Sequence, residues 1–183
     1  MLGLRQKLFL GFGGMLVLLV IIGIQSVHRF SSLGESIDVI LRENYRSVIA
    51  CQRMQEALER MDSGLLFILL GEEAKGGALI AANRASFRAA LQVELDTITL
   101  PGEGEKAVLI RDSFDKFESA LAGVVDPDLP AASRREAYFG GALPLFERIK
   151  AGAGEILQMN QQNMSDANDR ARRSAASARK QMF

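Results

Sequence analysis

The sequence predicts an all-α protein. The expected architecture is an up-down-up-down four-helix bundle with two long legs, preceded by an N-terminal transmembrane helix continuous with the first bundle helix. Three observations carry this. An unbroken apolar run, LFLGFGGMLVLLVIIGI, fills residues 8–24. Beyond it, apolar residues recur at alternating spacings of three and four, the signature of packed helices. Prolines, the strongest helix breakers, number only 4 in 183 residues, so long helices go uninterrupted.

The apolar run comes first. With Gln25, Ser26 and Val27 it is about 17–20 residues, enough as a helix for a bilayer core of ~30 Å. Arg5 and Lys7 precede it, which places residues 1–7 in the cytoplasm and the rest outside. The expected organisation is therefore a cytoplasmic N-terminus over 1–7, a transmembrane helix over 8–27 and an extracytoplasmic helical domain over 28–183. A cleaved signal peptide is the competing reading. The residues after the run, QSVHRF, lack the small-x-small pattern that cleavage needs.

Four helical segments follow. The first continues from residue 26 to 70 and stops at Gly71, a good C-terminal breaker. Its stripe is Val27, Phe30, Gly34, Ile37, Leu41, Tyr45, Val48, Cys51, Met54, Leu58, Met61, Leu65 and Ile68. The second is expected over 74–99, ending before Leu100-Pro101-Gly102, and the third over 103–124, ending at the DPDLP turn. The fourth starts near Ala131 and runs toward Lys180, with a kink or break before Pro144. Its stripe passes from Phe146, Ile149, Ala153 and Ile156 to Asn160, Met164, Ala167, Ala171, Ser174 and Ala178. The outer helices span ~65 Å and ~75 Å and the middle two are much shorter, which makes the outer pair the legs.

Composition excludes several function classes. Net charge is zero and the pI about 6.6, so a nucleic-acid partner is not expected. The basic stretch RARRSAASARK has no aromatic residues and reads as a solvated helix. Neither a phosphate-binding glycine loop nor a nucleophile elbow is present. His28 is the only histidine and sits at the end of the apolar run, and a catalytic dyad or histidine-based metal site is read as having no second member. Cys51 is the only cysteine and can make neither an internal disulfide nor a zinc site by itself. Cys51 reads as a small apolar helix residue. Acidic residues read as dispersed along helix surfaces, with Glu56–Arg60 and Asp112–Lys116 as i,i+4 pairs. No catalytic residue, metal site or cofactor is expected.

The stretch ENYRSVIACQRMQEALERMDS interrupts its own apolar stripe. Asn44, Arg53, Arg60 and Asp62 lie on or beside the stripe. Arg53 and Arg60 project from one side, two helical turns apart, with Asn44 and Tyr45 lower on the helix. Asn44, Tyr45, Arg53 and Arg60 form the candidate ligand-binding set. A polar network or charged flank beside the stripe, with Glu56 and Asp62 as internal partners, is the reading placed ahead of it, and contact with another protein is a third.

This layout, with LRQKLFLGFGGMLVLLVIIGI at the start and ENYRSVIACQRMQEALERMDS followed by LLFILLGE, resembles the sensor region of bacterial membrane-bound sensor histidine kinases. Chemotaxis receptors that undergo methylation share the layout. The resemblance implies an input module of a two-component receptor, in a bacterial inner membrane with its bulk in the periplasm. It implies a homodimer in which ligand or partner binding displaces one helix against another. Paired arginines across that dimer would make an anion site. The chain carries no HAMP segment, phosphoacceptor motif or nucleotide-binding glycine boxes, and Phe183 falls where a second span is expected. A fragment of a longer receptor is one reading. A membrane-anchored periplasmic scaffold is the alternative of another class, and a secreted bundle a third.

Overall fold

The computed structural model describes the backbone of residues 4–181 and the side chains of residues 12–24, 42–174, 176 and 177. The elements, in order, are α1 (Leu4–Leu69), α2 (Glu73–Asp96), α3 (Glu103–Val125), α4 (Ala131–Ala137), a π-helical turn (Tyr138–Ala142) and α5 (Leu143–Gln181). The described residues are all-α, with no strand among them. The chain divides into two units, Met1–Ile40 and Leu41–Phe183.

The first unit corrects the expected membrane span. Among the described residues no helix is long and apolar enough to cross a membrane. The transmembrane helix over 8–27 is therefore not supported, and neither is single-pass placement in an inner membrane. The periplasmic location of the remainder rested on that span and falls with it. The side chains of His28 and of stripe positions Val27, Phe30, Ile37, Leu41 and Ala178 lie outside the described residues, as does Gly34.

The second unit is built on the 3-4 stripe. From α1, Cys51, Met54, Leu58, Met61, Leu65 and Ile68 are buried together. They meet Ile80, Phe87 and Leu91 of α2, Ile110, Phe114, Phe117 and Leu121 of α3, and Ile149, Ala153 and Ile156 of α5. The Phe87 and Phe114 rings stack with centroids 3.8 Å apart. The turn after α1 uses Gly71 at φ 92°, a left-handed conformation that glycine takes without a Cβ penalty. The N–H of Glu72 bonds back to the Phe67 carbonyl at 2.9 Å and that of Gly71 to the Ile68 carbonyl at 3.0 Å, closing the helix end.

Beyond that turn α1 and α2 touch backbone to backbone. A Cβ on Gly64 would lie 2.8 Å from the Gly76 carbonyl oxygen, and one on Gly76 would collide with the Gly64 carbonyl. Charges staple the outer surface. Arg88 bridges α2 to Asp115 and Glu118 of α3, and Lys150 of α5 meets Glu59 of α1 at 2.7 Å. On α4, Arg134 donates from Nε to the Val124 carbonyl at 2.8 Å and from Nη1 to Glu73 at 3.2 Å, tying the end of α3 to the start of α2. Glu56 and Arg60 do pair, at 2.9 Å, whereas Asp112 pairs with its neighbour Arg111 instead of Lys116.

The fourth segment breaks where Pro144 predicts. Pro144 has no N–H to give to the carbonyl one turn back. The chain takes a π turn just before it, with the Leu143 N–H bonding to the Tyr138 carbonyl. That turn buries Tyr138 and aims its hydroxyl at Asp62 Oδ1, 3.0 Å away. Burial pushes the Asp62 carboxyl above the ordinary range, and the Tyr138 hydrogen bond opposes that rise. Removing the hydroxyl in Tyr138→Phe is expected to cost about 1.5–3 kcal/mol, the worth of one hydrogen bond to a charged acceptor. Urea unfolding at pH 7.5 measures it. At a pH low enough to protonate Asp62 the difference should shrink.

Candidate functional site

Two features stand out in the second unit, and they occupy the same turns of α1 and α2. The first is a buried polar node. Ser47 and Cys51 of α1, Glu94 of α2, Glu103 of α3 and Asn160 of α5 are all buried, so every long helix of the unit contributes. The Ser47 hydroxyl donates to Glu94 Oε2 at 2.5 Å and lies 3.3 Å from Glu103 Oε1. Asn160 Nδ2 donates to Glu103 Oε1 at 2.5 Å, and also lies 2.9 Å from Ser47 Oγ and 3.1 Å from the Ile156 carbonyl. The Cys51 thiol points at Glu94 Oε2 from 3.7 Å.

Local sequence explains why the node forms. Glu103 opens α3, and its Oε2 accepts the backbone N–H groups of Thr99 and Leu100 at 2.7 and 2.9 Å. The carboxylate thus satisfies two backbone donors of the preceding turn, and its place at the helix start suits the positive end of the helix dipole. Thr97 closes α2 in the opposite sense, its hydroxyl donating to the Val93 carbonyl at 2.8 Å. Between them lies the tight turn that sets Glu94 and Glu103 side by side. Burial pushes the Glu94 carboxyl up from 4.5 to about 7, opposed by the Ser47 hydrogen bond and reinforced by the charge of Glu103. Burial, and then the charge of Glu94, push the Cys51 thiol well above its usual range, so it stays a neutral thiol.

The second feature is a cleft of about 670 Å³ between α1 and α2. Ile49, Ala50, Ala57, Ala89, Ala90 and Val93 give it apolar walls, with Tyr45, Arg46, Arg53, Glu56, Asn83 and Ser86 as its polar lining. Small side chains on both helices leave the space open. Arg46 is held by Glu43 at 2.9 Å, and Glu56 by Arg60. Arg53 has no ion-pair partner among the described residues. Ala50 and Val93 of the cleft are chain neighbours of Cys51 and Glu94 of the node.

The four candidate ligand residues therefore separate. Tyr45 and Arg53 line the cleft together. Asn44 is buried, and its Oδ1 accepts from the Thr99 hydroxyl at 2.8 Å, which ties α1 to the α2–α3 turn. Arg60 lies outside the cleft lining and is engaged by Glu56. Asp62, read as a partner for these arginines, serves Tyr138.

Reading the acidic residues as dispersed over helix surfaces is corrected by Glu94 and Glu103, both fully buried. A signal for Glu94 is present in the sequence. Phe87, Leu91 and Glu94 follow one 4-3 spacing, so Glu94 holds a core position of α2. Glu103 directly follows Pro101-Gly102, where a helix-starting acid belongs.

Among the described residues no group of three or more potential ligands could hold a metal ion. No protein-family model matches the chain, and no curated protein matches it.

Proposed function

We propose that the chain is the input module of a two-component signal receptor, an up-down-up-down four-helix bundle that relays binding by displacing one long helix against another. The observation that carries this reading is the node. Side chains of α1, α2, α3 and α5 converge on one buried polar cluster, on the same turns of α1 and α2 as an open cleft. An apolar core tolerates no void and fixes a single packing. A polar cluster with more acceptors than donors is satisfied differently when its helices shift, so it supplies the two arrangements that a ligand must discriminate.

The cleft is the entry point in this reading. Arg53 offers an uncommitted guanidinium beside apolar walls, and Tyr45 an aromatic flank. That combination suits a small organic anion with an apolar body. Benzoate, acetate and inorganic phosphate titrated into the full chain test it by thermal shift. Benzoate is expected to raise the melting temperature, with at least a tenfold loss of apparent affinity in Arg53→Ala and little change in Arg60→Ala. If no anion shifts melting, or if Arg53→Ala responds like wild type, the cleft is not the input site.

A further inference from the structure

We propose that the node is a proton-operated switch: Glu94 holds a proton beside Glu103 when the helices are closed on each other, and losing that proton drives α2 and α3 apart at this level. The inference concerns the node alone and stands whether or not the cleft takes an anion.

The donor arithmetic points to Glu94 as the protonated partner. Glu103 accepts from the Thr99 and Leu100 N–H groups and from Asn160 Nδ2, which suits a carboxylate. Glu94 receives one strong donor, the Ser47 hydroxyl, and one weak one, the Cys51 thiol. Its Oε1 is buried with no partner. Ser47 lies within reach of both carboxylates but has a single proton, so it serves only one of them at a time. Two ionised carboxylates in this setting would lack donors and repel each other at low dielectric.

Among the described residues no cation faces the pair to offset that repulsion. Facing it are Ser47 and Cys51 from α1, the Thr99 N–H from the α2–α3 turn and Asn160 from α5, all uncharged. Among the described residues no lysine or arginine pairs with either carboxylate. Burial, opposed by Ser47 and reinforced by Glu103, leaves Glu94 titrating at about 7.

The sign follows from linkage. The folded chain holds the Glu94 proton more tightly than the unfolded one, where the carboxyl titrates at 4.5. The contribution is fully present below pH 4.5 and is lost as pH rises through about 7. The node is thus closed in mild acid and loosened above neutrality.

Two measurements on the full chain test this. Carboxyl-carbon NMR of glutamate-labelled protein should show one glutamate with a midpoint near 7, absent from Glu94→Gln. Between pH 5 and 8 the wild-type melting temperature should fall by roughly 5–10 °C more than that of Glu94→Gln, which mimics the protonated state. If every glutamate carboxyl titrates in the ordinary range, Glu94 does not hold the proton and the proposal fails. If wild type and Glu94→Gln show the same pH dependence, the node is no switch. Should Glu94→Gln fail to fold, the wild-type NMR titration decides alone.

Discussion

Glu103→Ala is expected to destabilise the second unit by about 3–5 kcal/mol, among the largest effects of any single polar substitution in the chain. The side chain satisfies three donors, the N–H groups of Thr99 and Leu100 and the Asn160 amide. Each buried donor left unsatisfied costs ~1–3 kcal/mol, and the two backbone groups of the turn regain some water when the side chain is gone. A helix-start acid adds up to about 1 kcal/mol through the dipole. Relief of repulsion with Glu94 works the other way, but it is one interaction against three lost bonds. Urea unfolding should show a lower midpoint with an unchanged slope. Glu94 should then titrate closer to the ordinary carboxylate range, because the Glu103 charge that helps to raise it is gone. A cost below 1 kcal/mol would mean that the α2–α3 turn does not depend on this carboxylate.

Gly76→Ala is the second large effect, and its direction opposes helix propensity. Alanine in place of glycine inside a helix normally gains about 1 kcal/mol. Here the new methyl would collide with the Gly64 carbonyl and press on the backbone of Ile68, and a backbone cannot rotate away. Overpacking of this kind costs ~1–3 kcal/mol or more and forces α1 and α2 apart. The clash outweighs the propensity gain, so a net loss of about 2 kcal/mol is expected. Gly77→Ala is the control. A Cβ at Gly77 meets nothing within 4 Å, so that substitution should be neutral or mildly stabilising. Thermal melts of the two variants should move in opposite directions relative to wild type.

Much of the helical skeleton was legible because it depends on local chemistry. Gly71 and the Pro101-Gly102 turn bound the helices where breakers are expected, and Pro144 marks the break that appears as a π turn. The expected end of α2 at residue 99 overshoots, since Asp96 is its last residue. The reason is side-chain competition: Thr97 takes the Val93 carbonyl and Glu103 takes the N–H groups of Thr99 and Leu100. Periodicity does not report such captures, because they pair residues by hydrogen bonding across a turn.

The site was less legible. Asn160 stood out as the polar member of an apolar stripe, and it is central to the node. Glu94 and Glu103 were hidden by their own type, since an isolated glutamate on a helix is ordinarily solvated. Only their convergence from two helices makes them a pair, and convergence is a tertiary fact. The same holds for Tyr45 and Arg53, whose cleft exists because Ala89 and Ala90 of another helix are small. The apolar run at the N-terminus shows the limit of composition in the opposite sense, where hydrophobicity over 8–24 predicted a span that the described helix does not supply.

Cys51 reports directly on whether the helices part at the node. It is the only cysteine and is fully buried against Glu94. A thiol reagent reaches it only when the node opens. Labelling rates of wild type and Glu94→Gln at pH 6 and pH 8, each divided by the rate of the same protein unfolded in urea at that pH, isolate opening from thiol ionisation. Wild type should gain at least about tenfold more than Glu94→Gln between the two pH values. Equal gains in the two proteins would mean that the helices do not part when Glu94 loses its proton.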